Sequence, residues 1–314
     1  MKKLALVFVG QGSQYLNMGL DYVDMFPELK EKEGIASKLL GYDVRNMLSS
    51  TDGKINDTRY TQPLMMLATI FAYEAFLKLN VEVDAVAGFS LGEHGAYYAA
   101  QVFNFEQIMK IVDYRAQHMQ TCAINHPGKM AAIIGLNKEL VDQACREAAD
   151  QGIVVSANYN SPVQVVISGE EKAVIKAMEI AKSLGAKRAL ELNVSGAFHS
   201  PLMKQAADQV YEFIKKESYQ EPTVPLYMNT TAKPLESSKL FDEMRKQIQS
   251  PVYFEQMINQ MIEDGITHFV EIGPGTVLSG LIKKINMNVE VTHLDQASEL
   301  DSLKGWLSDH EFRK

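Results

Sequence analysis

A strand-like run, a G-x-S-x-G pentapeptide and a helix-like run follow one another over residues 81–99, and this order constrains the whole chain. Residues 81–87 alternate and then turn apolar, which predicts a buried strand. Gly88-Phe89-Ser90-Leu91-Gly92 comes next, and the run that follows Ser90, with Leu91, Glu93 and several alanines, suits a helix. Strand, sharp turn and helix is the setting in which such a serine is lifted to the end of a sheet as a nucleophile. The flanking glycines fit a turn too tight for side chains, and one backbone position there is expected to take an unusual dihedral angle. Ser90 then stands at a helix N-terminus, whose first amide N–H groups lack partners inside the helix and can stabilise an oxyanion. A purely structural turn is the competing reading, and the flanking context argues against it.

At 314 residues the chain is long enough for one large α/β unit with an insertion. Its 31 basic and 39 acidic residues give a net charge of -8, which argues against general affinity for nucleic acid or an anionic membrane. Cys122 and Cys145 form no metal or redox spacing, as expected for a reduced, intracellular protein. The apolar run after Lys3 stops at Gly10, too short for a signal sequence, and reads as a first buried strand. No apolar run approaches the roughly 18 residues of a membrane span.

Residues 4–9 are strand-like, and Gly10-Gln11-Gly12-Ser13-Gln14 follows as a turn. Tyr15 stands where a dinucleotide fingerprint needs its third glycine, and no P-loop lysine follows. The loop is therefore read as presenting backbone N–H groups to a small anion or a developing oxyanion. Residues 17–80 are expected to be mainly helical, with Pro63 in the first turn of a helix apolar on every side. A further amphipathic helix over 105–119 carries Arg115 and His118.

After His126-Pro127-Gly128 the rhythm changes. Strands over 129–135, 153–159, 164–168 and 187–193 alternate with helices over 138–150 and 170–184, a βαββαβ or ferredoxin-like pattern. Asn160-Ser161-Pro162 is expected to make the turn between its two middle strands. The reading is a small domain over 127–194 inserted into a larger one formed by 1–126 and 195–314. The larger part resumes with helices over 202–217, 239–249 and 251–264, strands over 225–229, 268–272 and 289–293, and a polar tail.

A serine nucleophile needs a base within hydrogen-bond reach, and seven histidines compete. His94 lies four residues after Ser90, but its ring is expected to point along the helix. His118, His126, His268, His293 and His310 have the settings of packed or solvated histidines. His199 differs, because Ser195-Gly196-Ala197-Phe198-His199-Ser200-Pro201 is a turn between a strand and a proline-started helix. Arg115, in a mostly apolar helix, either pairs with a buried acid or lines a pocket as a bidentate carboxylate ligand. Gln11 is either a surface glutamine or a part of the anion-facing loop.

GQGSQ at 10–14, GFSLGE at 88–93, Arg115, NSPVQVVISG at 160–169, GAFHS at 196–200 and EIGPGTVLSGLIKKI at 271–285 occur in this order. In order and spacing they resemble the malonyl-CoA:acyl carrier protein transacylases, over residues 4–294. The resemblance implies an α/β fold: an α/β-hydrolase-like large domain with a mainly parallel sheet and an inserted ferredoxin-like small domain. It implies Ser90 as the nucleophile and His199 as general base and then acid. Gln11 and Leu91 would supply the oxyanion-hole N–H groups, and Arg115 would hold the malonyl carboxylate. Gln247 would orient His199 through its backbone carbonyl, Asn160 would support the site, and Phe198 would favour malonyl over methylmalonyl groups. The implied substrates are malonyl-CoA and the phosphopantetheine thiol of an acyl carrier protein, in the cytoplasm and with no metal or redox cofactor.

The chain departs from the family pattern at three positions. Phe89 replaces the usual histidine before the nucleophile, Ser250 an asparagine, and Phe254 a tryptophan. Lys182, Lys187, Arg188, Lys283 and Lys284 are the basic residues available to meet an acidic carrier. A hydrolase of the same fold and a non-catalytic carrier-binding subunit are the alternative functions.

Overall fold

A computed structural model describes residues 2–312. Its strands are β1 (Leu4–Phe8), β2 (Ala85–Gly88), β3 (Lys129–Ile134), β4 (Val154–Ser161), β5 (Gln164–Gly169), β6 (Arg188–Glu191), β7 (Leu226–Tyr227), β8 (His268–Ile272) and β9 (Glu290–Leu294). They form two sheets. One is five-stranded and wholly parallel, in the order β7-β2-β1-β8-β9. The other is four-stranded and antiparallel, in the order β4-β5-β3-β6. The α/β-hydrolase-like sheet thus carries a ferredoxin-like companion built from the βαββαβ segment.

Every residue of β1, β2 and β8 is buried. Continuous apolar runs such as LALVF belong in a parallel sheet covered on both faces by helices. The helix Thr58–Leu77 is buried along most of its length, and the helix Phe105–Asn125 packs against it. The latter begins in a reciprocal cap between Asn104 and Gln107, and its buried face, with Ile108, Ile111, Val112 and Met119, carries Arg115 inward.

The small sheet shows how period-2 alternation serves two cores. Ala131, Ile133, Val165 and Ile167 face the helices Lys138–Glu147 and Glu171–Ser183 in a core of their own. Met130, Ala132 and Val166, which alternate with them in sequence, face the main core instead. One face of the small sheet is therefore a wall of the cavity described below.

Four local expectations are corrected. Residues 81–84 lie outside β2, because the Asp84 carboxylate accepts the Leu4 N–H at 2.8 Å and so replaces a ladder bond. The buried helix begins at Thr58, capped by Asp57, so Pro63 stands in its second turn. Asn160 and Ser161 continue β4, leaving Pro162 and Val163 as the turn. The tail is not merely polar: it forms the helix Leu300–Asp309, which buries Leu303 and Leu307. Among the described residues no helix is long and apolar enough to cross a membrane.

Candidate active site

β2 delivers the chain into the pentapeptide, and the helix Gly92–Ala99 leaves it. A Cβ on Gly88 would lie 2.1 Å from the Gly92 backbone, and one on Gly92 would lie 2.0 Å from the Phe8 carbonyl oxygen. Close packing, not a special dihedral, demands both glycines. The unusual dihedral belongs to Ser90 itself, with φ 52°. His199 is likewise left-handed, at φ 56°. Two non-glycine residues in this sparsely occupied region, facing each other, mark a site where surrounding contacts outweigh local strain.

The hydroxyl of Ser90 lies 2.7 Å from Nε2 of His199. On the other side of the ring, Nδ1 lies 2.8 Å from the Gln247 carbonyl and 3.2 Å from that of Ser250. Carbonyls only accept, so Nδ1 carries the proton and Nε2 presents its lone pair to the serine. A backbone carbonyl thus occupies the place that a carboxylate holds in a Ser-His-Asp triad. Burial, reinforced by the charge of Arg115, lowers the His199 pKa to about 4, and the two carbonyls only partly oppose this.

Arg115 is fully buried, and its partners are neutral. Nη1 donates to Oε1 of Gln62 at 2.5 Å, and Nη2 donates to Oε1 of Gln247 at 3.1 Å. Nη2 also lies 3.5 Å from Oγ of Ser90, while Nε has no partner among the described residues. Desolvation lowers the guanidinium pKa to about 10, so it stays charged at neutral pH. A buried cation held by two carboxamides keeps its charge available to an incoming anion.

Gln247 joins these parts. Its carbonyl orients His199, its Oε1 meets Arg115, and its Nε2 donates to the Ser90 carbonyl at 2.7 Å. Gln11 is half-buried; its Nε2 donates to Thr58 Oγ1 at 3.3 Å, and its Oε1 accepts from Gln62 at 3.5 Å. The backbone N–H groups of Gln11 and Leu91 find no acceptor among the described residues.

Ser90, His199, Arg115, Gln62, Gln11 and Leu91 line a cavity of about 720 Å³. Phe89, Phe198 and Leu281 supply apolar wall, and Met130, Ala132 and Val166 come from the small sheet. Phe89 packs edge-on to Phe254, with ring centres 5.3 Å apart. Asn160 also lines it, buried, and its Oδ1 has no partner among the described residues.

The other histidines lie elsewhere in the hydrogen-bond network. His94 is buried with Nδ1 against the Leu91 carbonyl at 3.2 Å, and burial lowers its pKa to about 3. His118 packs on Tyr114, and His268 and His310 pack with Trp306. Among the described residues no three His, Cys, Asp or Glu side chains gather as a metal site.

Sequence reasoning missed Gln62. Its signal was a polar residue beside Pro63 in an otherwise apolar helix. It also missed the side-chain contacts of Gln247 and the contact of Asn229, whose Oδ1 accepts from the Ser90 N–H at 2.7 Å; both join residues more than a hundred positions apart.

A family profile described as "Acyl transferase domain" matches residues 5–297. The chain belongs to this family. It is 37% identical over 309 residues to a malonyl CoA-acyl carrier protein transacylase of Staphylococcus aureus, covering 98% of this chain and 99% of that one. The Bacillus subtilis protein of the same name is 37% identical over 293 residues, 92% of each chain. Among solved structures, MCAT from Streptococcus pneumoniae is 39% identical with a TM-score of 0.93, covering 97% of this chain and all of that one. A malonyl-transacylase solved in complex with its type II PKS acyl-carrier protein is 34% identical with a TM-score of 0.93, over 97% of each chain.

The geometry also sets a pH dependence. A histidine that takes a serine proton must be neutral, and a pKa lowered to about 4 keeps His199 neutral from pH 8 down to about 5. Reaction of Ser90 with a small serine-directed reagent such as phenylmethylsulfonyl fluoride should be flat across that range and fall as pH drops through about 4. Stopped inactivation assays at stepped pH check this; a fall centred near the ordinary histidine value of about 6.5 would contradict it.

Proposed function

We propose that this chain moves a malonyl group from malonyl-CoA to the phosphopantetheine thiol of an acyl carrier protein, by way of a malonyl ester on Ser90. The observation that carries the reading is the buried Arg115, partnered only by carboxamides and 3.5 Å from Oγ of Ser90.

Ser90 gives its proton to Nε2 of His199 as Oγ attacks the thioester carbonyl. The oxyanion meets the N–H groups of Leu91 and Gln11. Collapse expels the CoA thiolate, which takes the proton back from His199. The carrier thiol then enters, gives its proton to the same nitrogen and attacks the ester. Its collapse returns the proton to Ser90. Thioester to ester to thioester is close to even in free energy, so the work lies in stabilising two tetrahedral intermediates and excluding water. Arg115 grips the free carboxylate throughout, and Asn160 offers its unpaired oxygen to the wall along which the substrate lies. The reaction as proposed uses no metal or redox cofactor.

The division into 1–126 with 195–314 and 127–194, a cytoplasmic location, and carrier docking near Lys182, Lys187, Arg188, Lys283 and Lys284 belong to the same proposal. Phe198, buried beside the base, should crowd a methyl branch on the substrate α-carbon. Phe198→Ser is therefore expected to raise the methylmalonyl-to-malonyl acylation ratio by about tenfold, the effect of relieving one misfit methyl group. Initial acylation rates with the two CoA esters measure it.

Product analysis tests the function. Incubation with malonyl-CoA and holo acyl carrier protein should give malonyl-carrier with little free malonate. Free malonate as the main product would assign the chain to the hydrolases of this fold. Failure to consume malonyl-CoA would leave a non-catalytic carrier-binding role.

A further inference from the structure

Ser90 occupies a left-handed conformation that its own side chain disfavours, so other groups must hold it there. Its backbone N–H donates to Oδ1 of Asn229 at 2.7 Å. The same carboxamide, through Nδ2, donates to the Gly88 carbonyl at 2.6 Å. One planar group therefore spans the turn on both sides of Phe89. Asn229 is completely buried and lies just beyond β7, the strand beside β2.

Asn229 is itself fixed through its backbone. Its N–H donates to Oε2 of Glu93 at 2.6 Å, and its carbonyl accepts from the Tyr253 N–H at 2.9 Å. Glu93 is buried on the helix that leaves the turn, and its Oε1 accepts from the Tyr97 hydroxyl at 2.8 Å. The helix after the nucleophile and the strand end beside it thus hold each other.

Few side chains meet this demand. The site needs one acceptor and one donor on a single short planar group. An ionised aspartate sets a second oxygen against the Gly88 carbonyl, and alanine leaves two buried backbone groups unpaired.

We propose that Asn229 is a positioning residue for the nucleophile. It holds Ser90 in the strained turn and engages the Ser90 N–H, so that the N–H of Leu91 is left to face the oxyanion with that of Gln11. It touches neither substrate nor Oγ. The proposal rests on Ser90 being the nucleophile and adds a residue to that reading.

The test measures kcat and KM for malonyl-CoA, with reactivity toward phenylmethylsulfonyl fluoride, in wild type, Asn229→Ala and Asn229→Asp. Far-UV circular dichroism and thermal melting establish the folded fraction. Asn229→Ala is expected to lower kcat by roughly 10²-fold, as loss of alignment by about an ångström does, with KM within about twofold. Asn229→Asp keeps the size and the acceptor, and burial favours the protonated carboxyl that can donate to the Gly88 carbonyl, so it should lose roughly tenfold and fold if the alanine variant does not. Inactivation by the reagent, which needs neither CoA nor Arg115, should slow in parallel. Wild-type kcat per folded molecule in either variant, or a loss confined to KM, would overturn the proposal. Failure of wild type to carry malonyl on Ser90 would instead overturn the reading beneath it.

Discussion

His199→Ala is expected to slow acylation of Ser90 by at least about 10³-fold, as removal of a triad base does elsewhere. Nε2 is the proton acceptor 2.7 Å from the serine hydroxyl, and the hydrogen bonds of Ser90 provide no substitute base. His94→Ala should change the rate by less than about tenfold, because that ring is bonded to the Leu91 carbonyl and not to Ser90. Single-turnover acylation with malonyl-CoA, followed by intact mass, ranks the two variants. The reverse ranking would mean that the base has been wrongly chosen.

Arg115→Ala is expected to remove most of the preference for malonyl over acetyl groups. In the wild type an acetyl group leaves a desolvated guanidinium without its anion, at a cost of ~2–5 kcal/mol. That corresponds to a preference for malonyl of roughly two or more orders of magnitude. The ratio of rates is the proper readout, since truncation also frees the carboxamides of Gln62 and Gln247 from their shared partner. Acylation by malonyl-CoA and acetyl-CoA should differ by less than about tenfold in the variant. A ratio equal to that of the wild type would remove the carboxylate clamp from the account.

These two effects show which features the sequence discloses. The turn at Ser90 is legible because its causes are local: a buried strand, two glycines and a helix start within a few residues. The βαββαβ rhythm is legible for the same reason, as each element declares its own period. Contacts between distant segments are not. Ser90 and His199 are 109 residues apart, and each can be singled out by its own turn, but their separation in space belongs to the fold. Gln62 and Asn229 illustrate the limit more sharply. Each is a polar residue whose partner, Arg115 or Ser90, arrives from another element, so nothing beside it in the chain announces the contact. The helix Leu300–Asp309 is a different kind of omission. Leu300, Leu303 and Leu307 recur at helical spacing, and the charged residues between them obscure the stripe.

Arg115 presented a choice that burial alone does not resolve. Most buried arginines find an acid, and Glu93 is near enough to affect the guanidinium electrostatically. Glu93 instead directs its oxygens to Tyr97 and the Asn229 N–H. The arginine is left to two glutamines, and its charge faces the cavity that Ser90 also lines. Guanidinium, imidazole and serine hydroxyl thus converge from the helices and turns around two sheets.

The central claim is a malonyl ester on Ser90, and intact-protein mass spectrometry tests it most directly. The chain is incubated with malonyl-CoA, and the adduct is located by fragmentation before and after addition of holo acyl carrier protein. The account predicts a single malonyl group on Ser90, discharged by the carrier and absent from Ser90→Ala. Malonyl on another residue of Ser90→Ala, or transfer to the carrier by a wild type that never carries the group, would contradict it.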